Sequence, residues 1–362
     1  MANLSITATC NRSCEYCFAM DMLDEMSVEI KSMPMNIYLQ ALDFLSRSGI
    51  EEVRFLGGEP TTHPHFIQML DIALDRGFKV LIFSGGLIPN KVLEKLTLIP
   101  DEQLSLLINV IPPWEKGASA KKRQKEVFEK LGQKIILGLN IDSPSVTYDF
   151  LLDWILAYNL LPKIRLGLAH PTLEGSNDSL HPRHYPEVGK RVSNFGLKAK
   201  QYSVSIDFDC GWVPCMFPEG AMEALEITQN EVGLRCSPIL DILPDAKVIS
   251  CYPLSSHYNI PLPTNKDADW LRMTFSNQQQ AERTFTLYPK CSTCDWKARG
   301  ECTGGCLSAS LKRLRFNQFS FGYNPSLEGL IVDESTSEKS LAITKEDTLI
   351  PLPIINKTIG KN

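Results

Sequence analysis

Three cysteines fall within eight positions near the start of the chain, in the stretch CNRSCEYC from Cys10 to Cys17. Their spacing is C-x3-C-x2-C, and thiolates held this close together suit a metal. A structural zinc site closes with four protein ligands, yet after Cys10, Cys14 and Cys17 no further cysteine or histidine follows until His63. A 4Fe-4S cluster accepts three thiolates and leaves one iron open to something else. Three buried thiols, or a zinc ion completed by His63, are the alternatives the spacing leaves open. The other eight cysteines come late, as Cys210-x4-Cys215, Cys236-x14-Cys251 and Cys291-x2-Cys294-x7-Cys302-x3-Cys306. A zinc ribbon on the last four is one reading of them.

Bulk properties decide what environment these thiols meet. Eleven cysteines in 362 residues is an odd number and far below the ~8–10% of a disulfide scaffold. The N-terminus, MANLSITATC, has no basic stretch leading into an apolar one, and no apolar run approaches the ~20 residues of a membrane span. The protein is therefore expected to be cytoplasmic, where clustered thiols serve as metal or cofactor ligands. A net charge of −5 argues against nucleic acid or an anionic membrane as partner. Basic runs at Lys121, Lys122, Arg123 and Lys125, and at Lys312, Arg313 and Arg315, read as solvated helix faces.

The elements that position the cysteines follow a repeating rhythm. NLSITAT (3–9) reads as a first strand, and Tyr38, Ala41, Leu42 and Leu45 give residues 35–48 a helical period ended by Gly49. EEVRFLGG (51–58), FKVLIFSGG (78–86), LSLLINVIPP (104–113), QKIILGLNID (133–142) and KIRLGLAHP (163–171) read as further strands, each separated from the next by a helical stretch. Apolar strands alternating with helices predict a parallel sheet. Six such units with no dinucleotide fingerprint at the first turn suit an α/β fold of the partial (β/α)6 barrel kind, with ligands at the C-terminal strand ends. Every unusual motif falls there: the cysteines after strand one, GGEP after strand two, Ser84 ending strand three, Asn109 in strand four, and Asn140 and Asp142 late in strand five.

After Gly196 the rhythm breaks. One more strand, KQYSVSIDFD (200–209), leads into a stretch with eight of the eleven cysteines. The expected organisation is a barrel at 1–205, a loop-rich C-terminal domain ordered by ligands at 206–311, and a tail at 312–362 that is partly disordered or straps across a face.

With GGEP (Gly57, Gly58, Glu59, Pro60) at the tip of the second strand, the C-x3-C-x2-C loop resembles the radical S-adenosylmethionine (SAM) superfamily. The resemblance implies that Cys10, Cys14 and Cys17 hold a 4Fe-4S cluster whose free iron binds SAM. It sets the GGEP segment beside the methionine end of SAM, with Glu59 as acceptor for its ammonium. Tyr16 then lies near the adenine, and Ser84, Asn109 and Asn140 near the ribose and carboxylate. The third strand ends here in SGG, where polar-Asn-Gly is common in the family. Met20, Met22, Met26, Met33 and Met35 follow the motif, as a pliable apolar cover or as core.

CSTCDWKARGECTGGC (291–306) resembles the SPASM extension of radical SAM enzymes, which carries auxiliary 4Fe-4S clusters. The resemblance implies two auxiliary clusters on Cys210, Cys215, Cys236, Cys251, Cys291, Cys294, Cys302 and Cys306. Two departures stand out: seven residues separate Cys294 from Cys302, and no cysteine follows Cys306, so Cys210 or Cys215 has to complete the set. Relatives of this kind mostly modify peptides or proteins, which implies a peptide maturase that oxidises or crosslinks its substrate. A dehydrogenase or epimerase acting on a small molecule is the alternative, and a non-catalytic iron-sulfur or zinc scaffold a distant one. The expected partners are the substrate, an electron donor such as a flavodoxin or ferredoxin, and a separate leader-peptide-binding protein, because the barrel begins at once. No catalytic residue is assigned. Asp207 and Asp209 are candidates for moving a proton, and His170, His181 and His184 read as structural.

Overall fold

Strand β1 (Asn3–Thr7) is buried at all five residues, and the sheet spreads from it in both directions. The computed structural model describes residues 2–26, 30–175, 177–225 and 235–319. Six parallel strands follow β1 on one side: β2 (Glu52–Gly57), β3 (Lys79–Ser84), β4 (Leu104–Asn109), β5 (Ile135–Ile141), β6 (Lys163–Leu168) and β7 (Ser205–Phe208). On the other side lie β8 (Asp241–Ile242), parallel to β1, then β9 (Lys247–Ile249) and β10 (Asn259–Pro261), each antiparallel to its neighbour. The sheet order is β10-β9-β8-β1-β2-β3-β4-β5-β6-β7, an open α/β sheet with the parallel run of a partial barrel.

Helices Met35–Arg47, Phe66–Asp75, Asn90–Thr97, Ala118–Leu131, Asp149–Tyr158 and Tyr185–Gln201 follow β1 to β6 in turn. Alternation along each strand divides the two faces of the sheet. Val53 and Phe55 of β2 are fully buried, whereas Arg54 between them is only half-buried. Phe55 packs its ring against Tyr38 and Phe66 of the first two helices, at 6.1 and 5.7 Å between centroids. Each such large side chain contributes about 1.5–3 kcal/mol by leaving water. The opposite face carries Ser105, Asn109, Asn140 and Arg165, all half-buried. The apolar core thus lies between sheet and helices, and the polar groups line the inner wall.

The seventh strand is shorter than expected. Val188, Val192, Phe195 and Ala199 keep a helical period and are buried, so the helix continues to Gln201 and only Ser205–Phe208 is extended. The segment expected to be loop-rich contributes β8, β9 and β10 to the same sheet. Residue 312 lies within the helix Leu307–Phe319; the rest of the expected tail, 320–362, lies outside the described residues. Among the described residues no helix is long and apolar enough to cross a membrane.

Candidate active site and cysteine centres

The chain leaves β1 and passes directly over the tip of β2. Gly58 N donates to Thr7 O at 2.7 Å and Glu59 N to Thr9 O at 2.8 Å. A Cβ on Gly58 would stand 2.3 Å from Thr9 O and 2.9 Å from Cys10 Cβ, and Gly57 has φ +137°. Only glycine allows this approach. From the other side Asn11 Nδ2 donates to Leu87 O at 2.9 Å, and Arg12 donates to Asn109 O at 3.0 Å and to Glu115 at 3.2 Å. Cys17 N closes the loop on Cys14 O at 3.0 Å. Cys10 is exposed while Cys14 and Cys17 are half-buried, so the clamped loop leaves its thiols at an open edge. Burial pushes the Cys10 and Cys17 thiols up.

Glu59 is buried behind that loop, and its carboxylate already has several donors. Thr61 N and Oγ1, Ser84 Oγ and Gly85 N all give it hydrogen bonds, the last at 2.8 Å. Burial raises its pKa against the opposing pull of these donors. Ser84, 2% exposed, accepts from Gly86 N at 2.9 Å, so one hydroxyl ties β3's end to Glu59. Pro60 opens the short turn Pro60–Thr62, which Glu59 caps. Asn140 Nδ2 lies 3.5 Å from Asn109 Oδ1 across the inner wall. Burial pushes the Tyr16 phenol up, followed in effect by Cys14, and Asn140 bonds to it. Tyr16, Asn109 and Asn140 therefore form one group beside the loop, with Arg12 between them and Glu115.

His63 has no free ring nitrogen. Its Nε2 donates to Met33 O at 3.2 Å and its Nδ1 accepts from His65 N at 3.1 Å. A zinc site completed by His63 would have to break one of these bonds.

The eight later cysteines sort into two sets. The thiols acting on Cys215, pushed up to about 11 chiefly by burial, are Cys291, Cys302 and Cys294. Those acting on Cys251, raised by burial first, are Cys236, Cys306 and Cys210. Cys291, Cys294 and Cys302 thus act on Cys215, and Cys306, Cys210 and Cys236 on Cys251. Gly304 N donates to Cys302 Sγ at 3.3 Å. Burial would raise Cys306, but His170 and the N–H groups of Ala309 and Ser308 hold it below the usual thiol value. Those N–H groups belong to the first turn of the helix Leu307–Phe319, where unpaired donors favour a thiolate. Among the described residues no three His, Cys, Asp or Glu side chains converge as a single-ion site. All-thiolate sets of four are what a 4Fe-4S cluster takes.

Of the proposed proton carriers, Asp207 pairs with Lys163 at 2.7 Å and Asp209 pairs closely with Arg165. Two residues escaped sequence reasoning. Asp241 on β8 is buried, accepts from Asn3 Nδ2 at 2.7 Å, and is pushed up to about 7 by burial. His170, read as structural, is 4% exposed and sits beside Cys306 and Cys210. The visible signal for Asp241 was one carboxylate in the apolar run ILDIL.

Residues 4–113 match the sequence model of the Radical SAM superfamily. Over 147 residues the chain is 27% identical to an S-adenosylmethionine-dependent nucleotide dehydratase of Selenomonas ruminantium, covering 39% of this chain and 51% of that protein. Over 185 residues it is 28% identical to the tungsten-containing aldehyde ferredoxin oxidoreductase cofactor-modifying protein of Pyrococcus furiosus, covering 44% and 51%. The chain thus spans about half the length of these relatives. In fold it resembles native anSMEcpe with bound AdoMet, at a TM-score of 0.62 and 14% identity over 88% of this chain and 96% of that one. It also resembles Streptococcus suis SuiB bound to precursor peptide SuiA, at a TM-score of 0.60 and 15% identity over 84% and 71%.

Proposed function

We propose, on the premise that this chain is a radical SAM superfamily enzyme through residues 4–113, that it is a peptide maturase that oxidises or crosslinks a peptide or protein. One observation carries the reading: the loop bearing Cys10, Cys14 and Cys17 is clamped against the GGE tip of β2. When bound, a reduced 4Fe-4S cluster and SAM supply a 5'-deoxyadenosyl radical that takes hydrogen from substrate.

The chain's own groups do the positioning. Cys10, Cys14 and Cys17 would hold the SAM-binding cluster. Gly57 and Gly58 bring the backbone close to the methionine end, and Glu59 braces β3's end through Ser84 and Gly85. Tyr16, Asn109 and Asn140 offer polar groups on the inner wall for the nucleoside. Cys210, Cys236, Cys251 and Cys306 would hold one auxiliary cluster, and Cys215, Cys291, Cys294 and Cys302 the other. We assign the SAM-cleaving part to 1–205 and the auxiliary clusters to 206–311. A flavodoxin or ferredoxin would supply electrons, and a separate protein would present the leader peptide.

A peptide substrate is supported by the shared fold with SuiB bound to its precursor peptide. A small-molecule substrate is the second reading, favoured by the nucleotide dehydratase name of the Selenomonas ruminantium relative. The test is anaerobic reconstitution, reduction and addition of SAM, followed by detection of 5'-deoxyadenosine. Co-expression with any short reading frame found beside the gene, read by peptide mass, then separates the substrates. A loss of hydrogen mass from one peptide is expected. Absence of 5'-deoxyadenosine from fully iron-loaded protein would sink the enzymatic reading.

A further inference from the structure

Apart from the main core, Phe18, Met22, Leu243, Ile249 and Tyr252 meet in a second apolar cluster. It floors a cavity of about 350 Å³, within the ~300–1,000 Å³ of built ligand sites. The helix Met20–Glu25 forms one wall and residues 172–175, past the end of β6, form another. The two walls touch at one end, where a Cβ on Gly175 would stand 1.9 Å from Asp21 Oδ2. Lys312 Nζ donates to Gly175 O at 2.6 Å and holds that end in place. Phe18 directly follows Cys17, Tyr252 directly follows Cys251, and their rings stand 5.8 Å apart. The floor is thus tied both to the first cysteine loop and to the later cysteines.

Charge on the rim is one-sided. Among the described residues that line the cavity, Asp21, Glu25, Glu174 and Asp245 are carboxylates, and the one cation, Lys247, is bound to Asp245 at 2.8 Å. Asp21, Glu25 and Glu174 are exposed, the last 4.0 Å from His257. Two more exposed carboxylates stand beside the cysteine loop, where Asp178 N donates to Glu15 O at 2.9 Å. Such a rim attracts cations and repels anionic surfaces. A floor of methionine and aromatic rings accepts apolar side chains of varied shape. Resting on the peptide reading above, we infer that this cavity receives a basic, amphipathic segment of the substrate peptide, with an apolar side chain on the floor and flanking Lys or Arg against Asp21, Glu25 and Glu174. An acidic segment would set its carboxylates against like charges, so the rim selects among peptides as well as attracting them.

The test is fluorescence anisotropy on the anaerobically reconstituted full-length protein with three labelled peptides: one alternating Lys and Leu, one with Glu for each Lys, and one with Ser for each Leu. The Lys-Leu peptide is expected to bind, more weakly as salt rises, and the other two to bind at least tenfold less well. Combining Asp21→Asn, Glu25→Gln and Glu174→Gln should weaken the Lys-Leu peptide by about tenfold, the worth of three exposed ion pairs. Asp75→Asn, Glu129→Gln and Asp153→Asn, which remove as many exposed carboxylates from the outer helices, should leave it unchanged. Bound peptide should also slow amide exchange in Met20–Glu25 and 172–175. Equal loss in the two triple variants, equal binding of the Glu-Leu peptide, or protection confined to other segments would overturn the inference. So would a natural peptide that loses hydrogen mass yet carries net negative charge, and the maturase reading would survive it. Absence of 5'-deoxyadenosine would instead sink that reading, whatever the anisotropy shows.

Discussion

Glu59 shows how one carboxylate organises the open end of the barrel from a position out of solvent. Its donors come from its own turn and from β3, so Glu59→Gln replaces an acceptor oxygen with a donor among N–H and O–H groups. Loss of charge-assisted bonds of this kind costs roughly 1.5–3 kcal/mol. We expect a lower thermal midpoint and weaker SAM binding by equilibrium dialysis. Unchanged values for both would show that the buttress is dispensable. At Gly58 the demand is steric: in Gly58→Ala the new Cβ must displace Thr9 O or Cys10. That variant should lose about four irons per chain, one cluster's worth, with the auxiliary spectra unchanged. Asp241 predicts a pH effect. The fold holds its proton up to about 7, whereas the unfolded chain releases it at roughly 3.9. The stability it contributes is therefore lost as pH rises from about 4 through 7. Asp241→Asn should flatten that slope, read as thermal midpoints between pH 5.5 and 8.5, and an equal slope in both proteins would refute it. The cysteine spacing and GGEP were legible in the sequence because backbone geometry ties such motifs to strand ends. The placement of His170 was not, since the carbonyl it meets belongs to Cys210, 40 positions away.

At the scale of elements, helix and strand periods alone sufficed to place β1 to β6 and the helices between them. Apolar side chains on those elements meet a core close by in sequence. β7 was overdrawn because KQYSVSIDFD alternates in hydropathy, yet Ala199 extends the preceding helix and its burial wins locally. β8, at two residues, carries no period to read. The proposed division of the last cysteine motif was equally hidden: the turn at Gly304 and Gly305 lies between Cys302 and the helix Leu307–Phe319 that follows Cys306. A direct consequence follows for substitution. Cys302→Ala and Cys306→Ala lie four positions apart but should remove different auxiliary signals, and Cys215→Ala should reproduce the former while Cys251→Ala reproduces the latter. Identical spectra for Cys302→Ala and Cys306→Ala would mean a single auxiliary centre.

At the scale of the molecule, barrel and cysteine-rich segment share one sheet, and residues up to Phe319 form one compact unit. β1 is its hinge of construction: Asn3 pairs with Arg54 of β2 on one side and Asp241 of β8 on the other. Asn3 N also donates to Leu240 O at 2.9 Å. A fragment ending at residue 209 would strip β1 of β8 and leave a five-residue, wholly buried strand as a bare edge. Such an edge invites pairing between chains. Leu4 and Ile6, both 0% exposed in the full chain, belong to that strand. The fragment is therefore expected to aggregate, or to bind iron without retaining SAM, although it contains the loop, GGEP and every inner-wall residue proposed for the nucleoside. Light scattering, far-ultraviolet dichroism and SAM retention on the purified fragment check this. A monomeric fragment that cleaves SAM at the full-length rate would show that β8 is a passenger and that the two segments fold independently.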